Sequence, residues 1–333
     1  FTLLAKAGGA ALDRAGRSSG ERWTLREGRL APSDDLFSQI RVALKRMPKL
    51  KKDMSLDAFL ERHLSREVSP EACAFARMLA QGYNASDTSR ASARSLVEEW
   101  SGEGSVDDAQ FRPMGGYGPL LSWLAGGLQG SNVSLQLDSV VRTVRWSRGA
   151  VRIGGTFLGR PFEARAKRAI VTLPVGVLQQ PANAEGAVRF TPALTVKRNA
   201  LGHLAPGPVI KVVLRFKTAF WEKLDRGRYC NAQFFHPRQE PFPTFWTQFP
   251  VRTSLLVAWA GGPKAQALTG LSKAKIVDRA LASLTAMFGD RERIEAELEG
   301  AWVHDWQRDP YARGAYAYET AGADDAHSEL AKP

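Results

Sequence analysis

The stretch GPVIKVVLRFKTAFWE, residues 207–222, carries a clear strand pattern and holds one lysine inside an apolar run. Two sets of residues alternate along it: Ile210, Val212, Leu214 and Phe216, and between them Val209, Lys211, Val213 and Arg215. Such alternation predicts a strand with one buried face and one face turned to water or to a ligand. The pattern alone favours a solvated Lys211, because lysine is rarely fully buried. The alternative is an amine that a reaction requires at this position.

The composition is that of a soluble globular protein with one large or two smaller domains. The chain has 333 residues, of which 44% are hydrophobic and 24% are charged. Its net charge is +12, from 46 basic and 34 acidic residues. The arginines are spread along the chain, so the charge indicates an arginine-rich composition rather than a nucleic-acid surface. The basic stretch 41–53 has no interleaved aromatic residues and is interpreted as a solvated helix end.

The positions of the cysteines and histidines argue against a disulfide framework and against a metal site. Cys73 and Cys230 lie far apart, which excludes a disulfide framework and indicates a reduced compartment, so we expect a cytoplasmic protein. The five histidines are scattered without metal-ligand spacing, and no metal site is predicted. No apolar run approaches the ~20 residues that a membrane-spanning helix needs. GRSSG at 16–20 has the G-x-S-x-G pattern, but its polar flanks favour an exposed turn over a nucleophile elbow.

The order of predicted elements points to a mixed α+β fold. Residues 1–110 are predicted to be mostly helical, with Ser69 as N-cap, Pro70 in the first turn and Gly82 at the end of one helix. From residue 108 a glycine-rich turn leads into an apolar helix, and valine-rich strands follow. A helix between Ser272 and Gly289 lies among the later strands. We expect two intertwined domains.

Six segments in a fixed order resemble one family, the flavin-containing amine oxidases, which include monoamine and polyamine oxidases and lysine-specific histone demethylases. The resemblance covers roughly residues 108–320. The segments are FRPMGGYGPLLSWLAGGL, VSLQLDSVVRTVRW, VTLPVGVL, AVRFTPAL, GPVIKVVLRFKTAFWE and DWQRDPYARGAYAY. Each motif is weak alone, whereas their common order is specific.

The resemblance implies FAD-dependent oxidation of an amine. Hydride passes from the carbon beside the nitrogen to flavin N5, the imine is hydrolysed, and oxygen reoxidises the flavin with release of hydrogen peroxide. Lys211 matches the family's strand lysine, which holds a water against N5. Three residues match positions around the cofactor: Val141, Pro174 and Trp306. Tyr316 matches one wall of an aromatic cage that selects an uncharged amine, and Tyr311 lies in the same tyrosine-rich stretch, typical of a cation-accepting pocket.

The chain departs from the family at both ends. No G-x-G-x-x-G occurs in it, and neither does the A-G-E segment that completes the family's flavin site. We therefore expect a fragment: a helical lobe (1–107), a middle piece of the FAD domain (108–207), a mixed-sheet substrate domain (208–325) and a return segment (326–333). Two alternatives stay open. They are a related flavoprotein oxidase or desaturase with a non-amine substrate, and a non-catalytic binding or scaffold protein derived from the fold.

Overall fold

The structure, a computed structural model, describes residues 12–14, 20–46, 50–101, 111–113, 116–128, 130, 132–323 and 326–333. The α-helices are α1 (Leu36–Arg46), α2 (Leu56–Arg62), α3 (Pro70–Gly82), α4 (Ala93–Ser101), α5 (Gly118–Gly126), α6 (Val175–Leu178), α7 (Thr195–Gly202), α8 (Gly262–Leu268), α9 (Lys273–Phe288), α10 (Arg291–Glu297) and α11 (Ala326–Ala331). Two 3₁₀ segments span Leu64–Arg66 and Phe220–Gly227.

The strands form four sheets in the described part of the chain. Their bounds are β1 (Leu12–Arg14), β2 (Glu21–Arg26), β3 (Arg29–Pro32), β4 (Phe111–Pro113), β5 (Ser139–Ser147), β6 (Ala150–Phe157), β7 (Arg160–Ala166), β8 (Arg189–Thr191), β9 (Leu204–Gly207), β10 (Val209–Phe216), β11 (Ala232–His236), β12 (Thr244–Trp246), β13 (Leu255–Gly261), β14 (Leu298–Asp305) and β15 (Tyr316–Glu319).

A seven-stranded sheet is the centre of the molecule. Its order is β14-β10-β13-β12-β11-β2-β3, and every pairing except β11 with β2 is antiparallel. The inward-facing residues of β10 pack with α8 and α9 in the largest apolar core. That core includes Trp23, Ile210, Val212, Leu214, Phe216, Phe235, Phe245, Leu256, Ile276 and Leu284. The exposed residues of β10, Lys211 and Arg215, point to the second face of the sheet.

Helices α1 to α4 form a helical lobe around a core of their own, which includes Leu36, Ile40, Leu56, Phe59, Leu60, Leu64, Ala76 and Trp100. Serine caps begin two of the helices, as the sequence predicts for α3. The Ser69 hydroxyl accepts from the Ala72 N–H at 3.2 Å, and Ser55 serves α2 in the same way. The mostly helical prediction for this region omitted β2 and β3, which join the seven-stranded sheet.

The remaining strands form a four-stranded sheet, β7-β6-β5-β8, and two pairs, β15-β9 and β1-β4. Of the valine-rich segments predicted as strands, 133–146 forms a strand only from Ser139, and 168–178 forms none and ends in helix α6. Several apolar side chains stay exposed there, among them Leu121, Leu124, Leu135, Leu137 and Ile170. Helix α5 forms as predicted but has no buried residue.

No helix of the described residues has the length and apolarity that crossing a membrane requires.

Candidate functional site

Lys211 lies on the open face of the seven-stranded sheet. Strand β10 runs between β13 and β14, and Lys211 stands opposite Trp259 on one side and His304 on the other. Its neighbours Ile210 and Val212 are fully buried, whereas Lys211 is exposed. The predicted alternation is thus confirmed. The Lys211 Nζ lies 5.9 Å from the centroid of the Trp246 ring, within cation–π range.

Three aromatic side chains, which we call the aromatic row, follow Lys211 across this face: Trp246, Trp259 and Tyr316. The Trp246 and Trp259 ring centroids are 5.7 Å apart, and those of Trp259 and Tyr316 are 6.3 Å apart. Residues opposite each other in paired strands share a face, so the register of β12 and β13 places both tryptophans beside Lys211. The aromatic row therefore places apolar ring faces next to the Lys211 amine.

Tyr316 joins the aromatic row from the two-stranded sheet β15-β9. It begins β15 and stands opposite Gly207, the last residue of β9, and its side chain is 50% exposed. Burial of the phenol raises the pKa of Tyr316, and the neighbouring Tyr83 phenol raises it further. The hydroxyl therefore stays neutral at physiological pH and offers a ring face and a hydrogen bond without charge.

The last residues of α3 and the turn that follows it press against both sheets at this point. A Cβ on Gly207 would lie 2.5 Å from the Ala85 carbonyl oxygen, and one on Gly261 would lie 2.3 Å from the Gln81 carbonyl oxygen. The indole N–H of Trp259 donates to the Gly82 carbonyl oxygen at 2.7 Å. Close backbone contact and this hydrogen bond fix the turn above the aromatic row.

Trp306 lies near the other side of Lys211. Its ring is 4.4 Å, centroid to centroid, from that of His304, which faces Lys211 across the strand pair. The His304 Nε2 lies 3.1 Å from Asp309 Oδ2. Trp306 is 43% exposed and Tyr311 is 50% exposed, so both remain available to a ligand.

Two other predicted site residues lie on different elements. Pro174 directly precedes α6, and a Cβ on Gly176 would lie 2.3 Å from the Arg313 carbonyl oxygen, so this segment packs against the loop that leads to Tyr316. Val141 is half-buried in β5 of the four-stranded sheet. The structure brings Lys211, Trp306 and Tyr316 to one region, and Val141 is on a separate sheet.

Sequence patterns missed several residues of this face. Trp246, Trp259 and Tyr83 join the site through strand pairing and the turn after α3, which no local motif reveals. His236 was also missed. It lies on the strand beside β12, with Nδ1 3.5 Å from the Thr244 hydroxyl oxygen, and its ring stacks on Phe234. Burial, together with the nearby guanidinium groups of the arginines flanking it, lowers its pKa to about 3.

A cleft of about 1100 Å³ lies elsewhere. It is lined by Arg90, Arg189, Arg198 and Tyr318 among others, and by none of the predicted site residues. The three residues of the aromatic row are not among the residues that line it, although Tyr318, two residues beyond Tyr316 in β15, is one of them. The cleft is therefore distinct from the aromatic row. The described residues contain no group of three or more His, Cys, Asp or Glu side chains that could hold a metal.

Comparisons with known proteins agree with this architecture. The cyclohexylamine oxidase from Brevibacterium oxydans IH-35A superposes with a TM-score of 0.75 at 16% identity, over 99% of this chain and 76% of that one. Wild-type putrescine oxidase bound to putrescine superposes with a TM-score of 0.69 at 20% identity, over 97% and 75%. Identities this low show a shared fold, and the predicted mixed α+β amine-oxidase fold is confirmed.

Curated relatives match at the level of sequence. Lysine-specific histone demethylase 1 homolog 3 of Arabidopsis thaliana is 28% identical over 219 residues, 63% of this chain and 12% of that protein. Probable polyamine oxidase 4 of the same plant is 29% identical over 226 residues, 66% and 40%. The chain thus aligns with less than half the length of either relative. Residues 11–333 match the profile of the family described as flavin containing amine oxidoreductase, and the chain belongs to that family.

Proposed function

We propose that the full-length protein oxidises an amine with FAD and oxygen. One observation carries this proposal: Lys211 stands exposed on an open sheet face, flanked by the aromatic row on one side and Trp306 on the other. An amine next to flat apolar surfaces suits a flavin ring with a small substrate beside it. Relatives and structural neighbours named as polyamine, putrescine and cyclohexylamine oxidases support the reaction class.

The chemistry of the exposed side chains fits the reactive ring of a flavin. That ring is a flat apolar surface with polar edges, and Lys211, Trp306 and Tyr316 offer one donor and two aromatic faces. Pro174 would support the ring from the segment before α6, and Val141 would face the adenine part. When bound, FAD would supply the acceptor for the two electrons and the hydrogen that leave the substrate carbon.

Lys211 would orient water and move protons. Its ammonium has three donors and no acceptor, so it can hold a water molecule toward a ring nitrogen. The Trp246 ring beside Nζ restricts the positions of the long side chain. A positive charge at this place also stabilises negative charge that develops on oxygen during its reduction.

The aromatic row would bind the substrate in its uncharged form. Loss of hydride from carbon requires the lone pair of a neutral amine, because an ammonium has none to donate. The faces of Trp259 and Tyr316 accept an apolar amine without a counter-charge. On the open face, the side chains of β10, β12 and β13 contribute no carboxylate that would hold the reacting nitrogen protonated.

The test is anaerobic titration of the purified full-length protein with amines. The proposal expects a yellow protein whose flavin absorbance is bleached by an amine and restored by oxygen, with hydrogen peroxide formed. A yellow protein that no amine bleaches would point to a flavoprotein with another substrate. A colourless protein that never binds FAD would overturn the proposal in favour of a non-catalytic role.

A further inference from the structure

The cleft of about 1100 Å³ has a basic lining. Three arginines line it, each from a different part of the chain: Arg90 lies in the loop between α3 and α4, Arg189 in β8 and Arg198 in α7. All three residues are exposed. None of them forms an ion pair with any residue that the structure describes. Their guanidinium groups are therefore available to an anion.

One carboxylate stands among the described residues that line the cleft, and its own turn engages it. Asp87 Oδ1 accepts hydrogen bonds from the Ser89 N–H at 3.0 Å and from the Ser89 hydroxyl at 2.7 Å. Three guanidinium groups thus stand against one carboxylate. Such a lining attracts an anion and repels a protonated amine. The cleft therefore suits a ligand other than the substrate of the proposed function.

Apolar side chains form another part of the cleft wall. They include Leu178, Val188, Phe190, Leu194 and Leu201. The first four are half-buried and Leu201 is buried, so they present apolar surface from within the fold rather than from mobile tips. Sites for small organic molecules combine apolar walls with a few polar groups that fix the orientation of the ligand. The lining of this cleft has both components.

Hydrogen bonds between different elements hold the walls of the cleft. The Gln179 side-chain amide donates to the Leu201 and Leu204 carbonyl oxygens, both at 2.7 Å, and so joins the segment after α6 to α7 and β9. The Arg90 carbonyl oxygen accepts from the Ala321 N–H at 2.7 Å, which attaches its loop to the residues after β15. Because the walls are fixed before a ligand arrives, binding orders little of the protein.

We propose that this cleft binds a small organic molecule with an anionic head group and an apolar body. The head group, a carboxylate or a phosphate, would contact the guanidinium groups, whose planar forks match the oxygens of both. The apolar body would lie along Phe190 and the neighbouring leucines. The site is separate from the aromatic row, so this binding does not depend on amine oxidation.

Solvated arginines around an open crevice are the other explanation of this surface. The two explanations differ in measurable respects. A binding site requires both the negative charge of the ligand and these particular arginines, whereas solvated arginines would attract an anion no better than arginines elsewhere on the chain.

The experiment is isothermal titration calorimetry of the purified full-length protein with sodium octanoate and with octyl phosphate. Octanol and octylamine have the same apolar body without the anionic head group. We expect saturable binding of at least one of the two anions and of neither other probe, and the tighter anion identifies the head group. For Arg189→Gln and Arg198→Gln we expect the Kd to rise about tenfold, because each removes charged donors from the site.

The matched control is Arg160→Gln, which removes an exposed arginine at the start of β7, outside the cleft, and should leave the Kd unchanged. Lys211→Met is the second control, because it reports an anion bound at the aromatic row instead. Its Kd should equal that of wild type. The two replaced cleft arginines are exposed and lose no ion pair with a described residue, so their variants should fold.

Each outcome decides the proposal. A higher Kd in Arg189→Gln, in Arg198→Gln or in both, with both controls unchanged, locates the anion in the cleft. The proposal is overturned if neither anion binds saturably, if octylamine binds as well as the anions, or if both cleft variants keep the wild-type Kd. An equal rise in Arg160→Gln would show a general charge effect, and a rise in Lys211→Met would place the anion at the aromatic row. Either would also overturn it, and none of these results bears on amine oxidation.

Discussion

Trp259 and Tyr316 stack with their ring planes 29° apart, although they belong to different sheets. The small sheet that carries Tyr316 pairs it with Gly207, and the chain continues from there through Pro208 into β10. This connection fixes Tyr316 relative to Lys211. Geometry at the site thus depends on three contacts: the ring stack, the β9–β10 junction and the turn above them.

Replacing Trp259 by phenylalanine tests the contact between the sheet and the turn. The variant keeps an aromatic ring and loses the indole N–H that donates to the Gly82 carbonyl oxygen at 2.7 Å. We expect the free energy of unfolding to fall by about 1 kcal/mol, measured by urea denaturation. Trp302→Phe is the control, because that indole is 53% exposed. Equal losses in the two variants would contradict a special role for the Trp259 bond.

Gly207 should not tolerate a side chain. A Cβ there would meet the Ala85 carbonyl oxygen at 2.5 Å and the Tyr316 carbonyl oxygen at 2.9 Å, and both are backbone atoms that cannot move alone. Gly207→Ala should cost about 1–3 kcal/mol of stability. It should also raise the KM for the amine, because the turn and Tyr316 shift.

Gly202→Ala provides the matched control for Gly207→Ala. Gly202 ends α7, and a Cβ there has no atom within 4 Å. Alanine is the better helix residue, so we expect a gain of up to about 1 kcal/mol. A melting temperature that falls equally in both variants would mean that the close approach at Gly207 does not limit stability.

Local patterns predicted the elements with strong internal signals. The alternation around Lys211 predicted β10, and Ser272 and Gly289 predicted the two ends of α9. The Ser272 hydroxyl accepts a hydrogen bond from the Lys275 N–H and so caps the first turn of α9. Those signals act within one turn or one strand, so they are visible without knowledge of tertiary contacts.

Features that depend on distant pairing were not predictable in this way. Strand β2 joins the central sheet by parallel pairing with β11, about 200 residues further on, and its six-residue sequence is too short to specify that partner. Trp246 and Trp259 face Lys211 because of the order β10-β13-β12, which alternation within a single strand does not specify. The segment 168–178 shows the reverse error, since its valine- and isoleucine-rich pattern predicts a strand, yet it pairs with no strand among the described residues.

Lys211→Met tests the roles in proton transfer and oxygen reduction that we propose for the Lys211 side chain. The side chain keeps its length and loses its charge and its three donors. We expect reoxidation of the reduced flavin to slow by about 100-fold, the lower end of the range for loss of a general acid or base. Stopped-flow mixing with oxygen measures this rate directly. Lys217→Met, just beyond the same strand, should behave as wild type, and an unchanged rate in Lys211→Met would remove the lysine from the mechanism.

Because the pKa of His236 is lowered, we expect the protein to lose stability in mild acid. Burial first, and then the charges of Arg238 and Arg22, lower its pKa to about 3, against about 6.5 in the unfolded chain. The Glu71 carboxylate near Arg238 does not offset this effect. Below pH 6.5 the unfolded state therefore binds a proton that the folded state refuses. Stability from the neutral ring is present above that pH and falls progressively as pH decreases toward 3.

His236→Gln should make the protein less sensitive to acid. Between pH 7.5 and 5.5 wild type should lose about 1 kcal/mol more than the variant, a value slightly below full linkage because the ring keeps some contact with solvent. Urea midpoints at the two pH values measure this difference. His327→Gln removes an exposed histidine from α11 and should leave the wild-type pH dependence intact. If His236→Gln and wild type lose equal stability, the surroundings of the His236 ring do not hold it neutral.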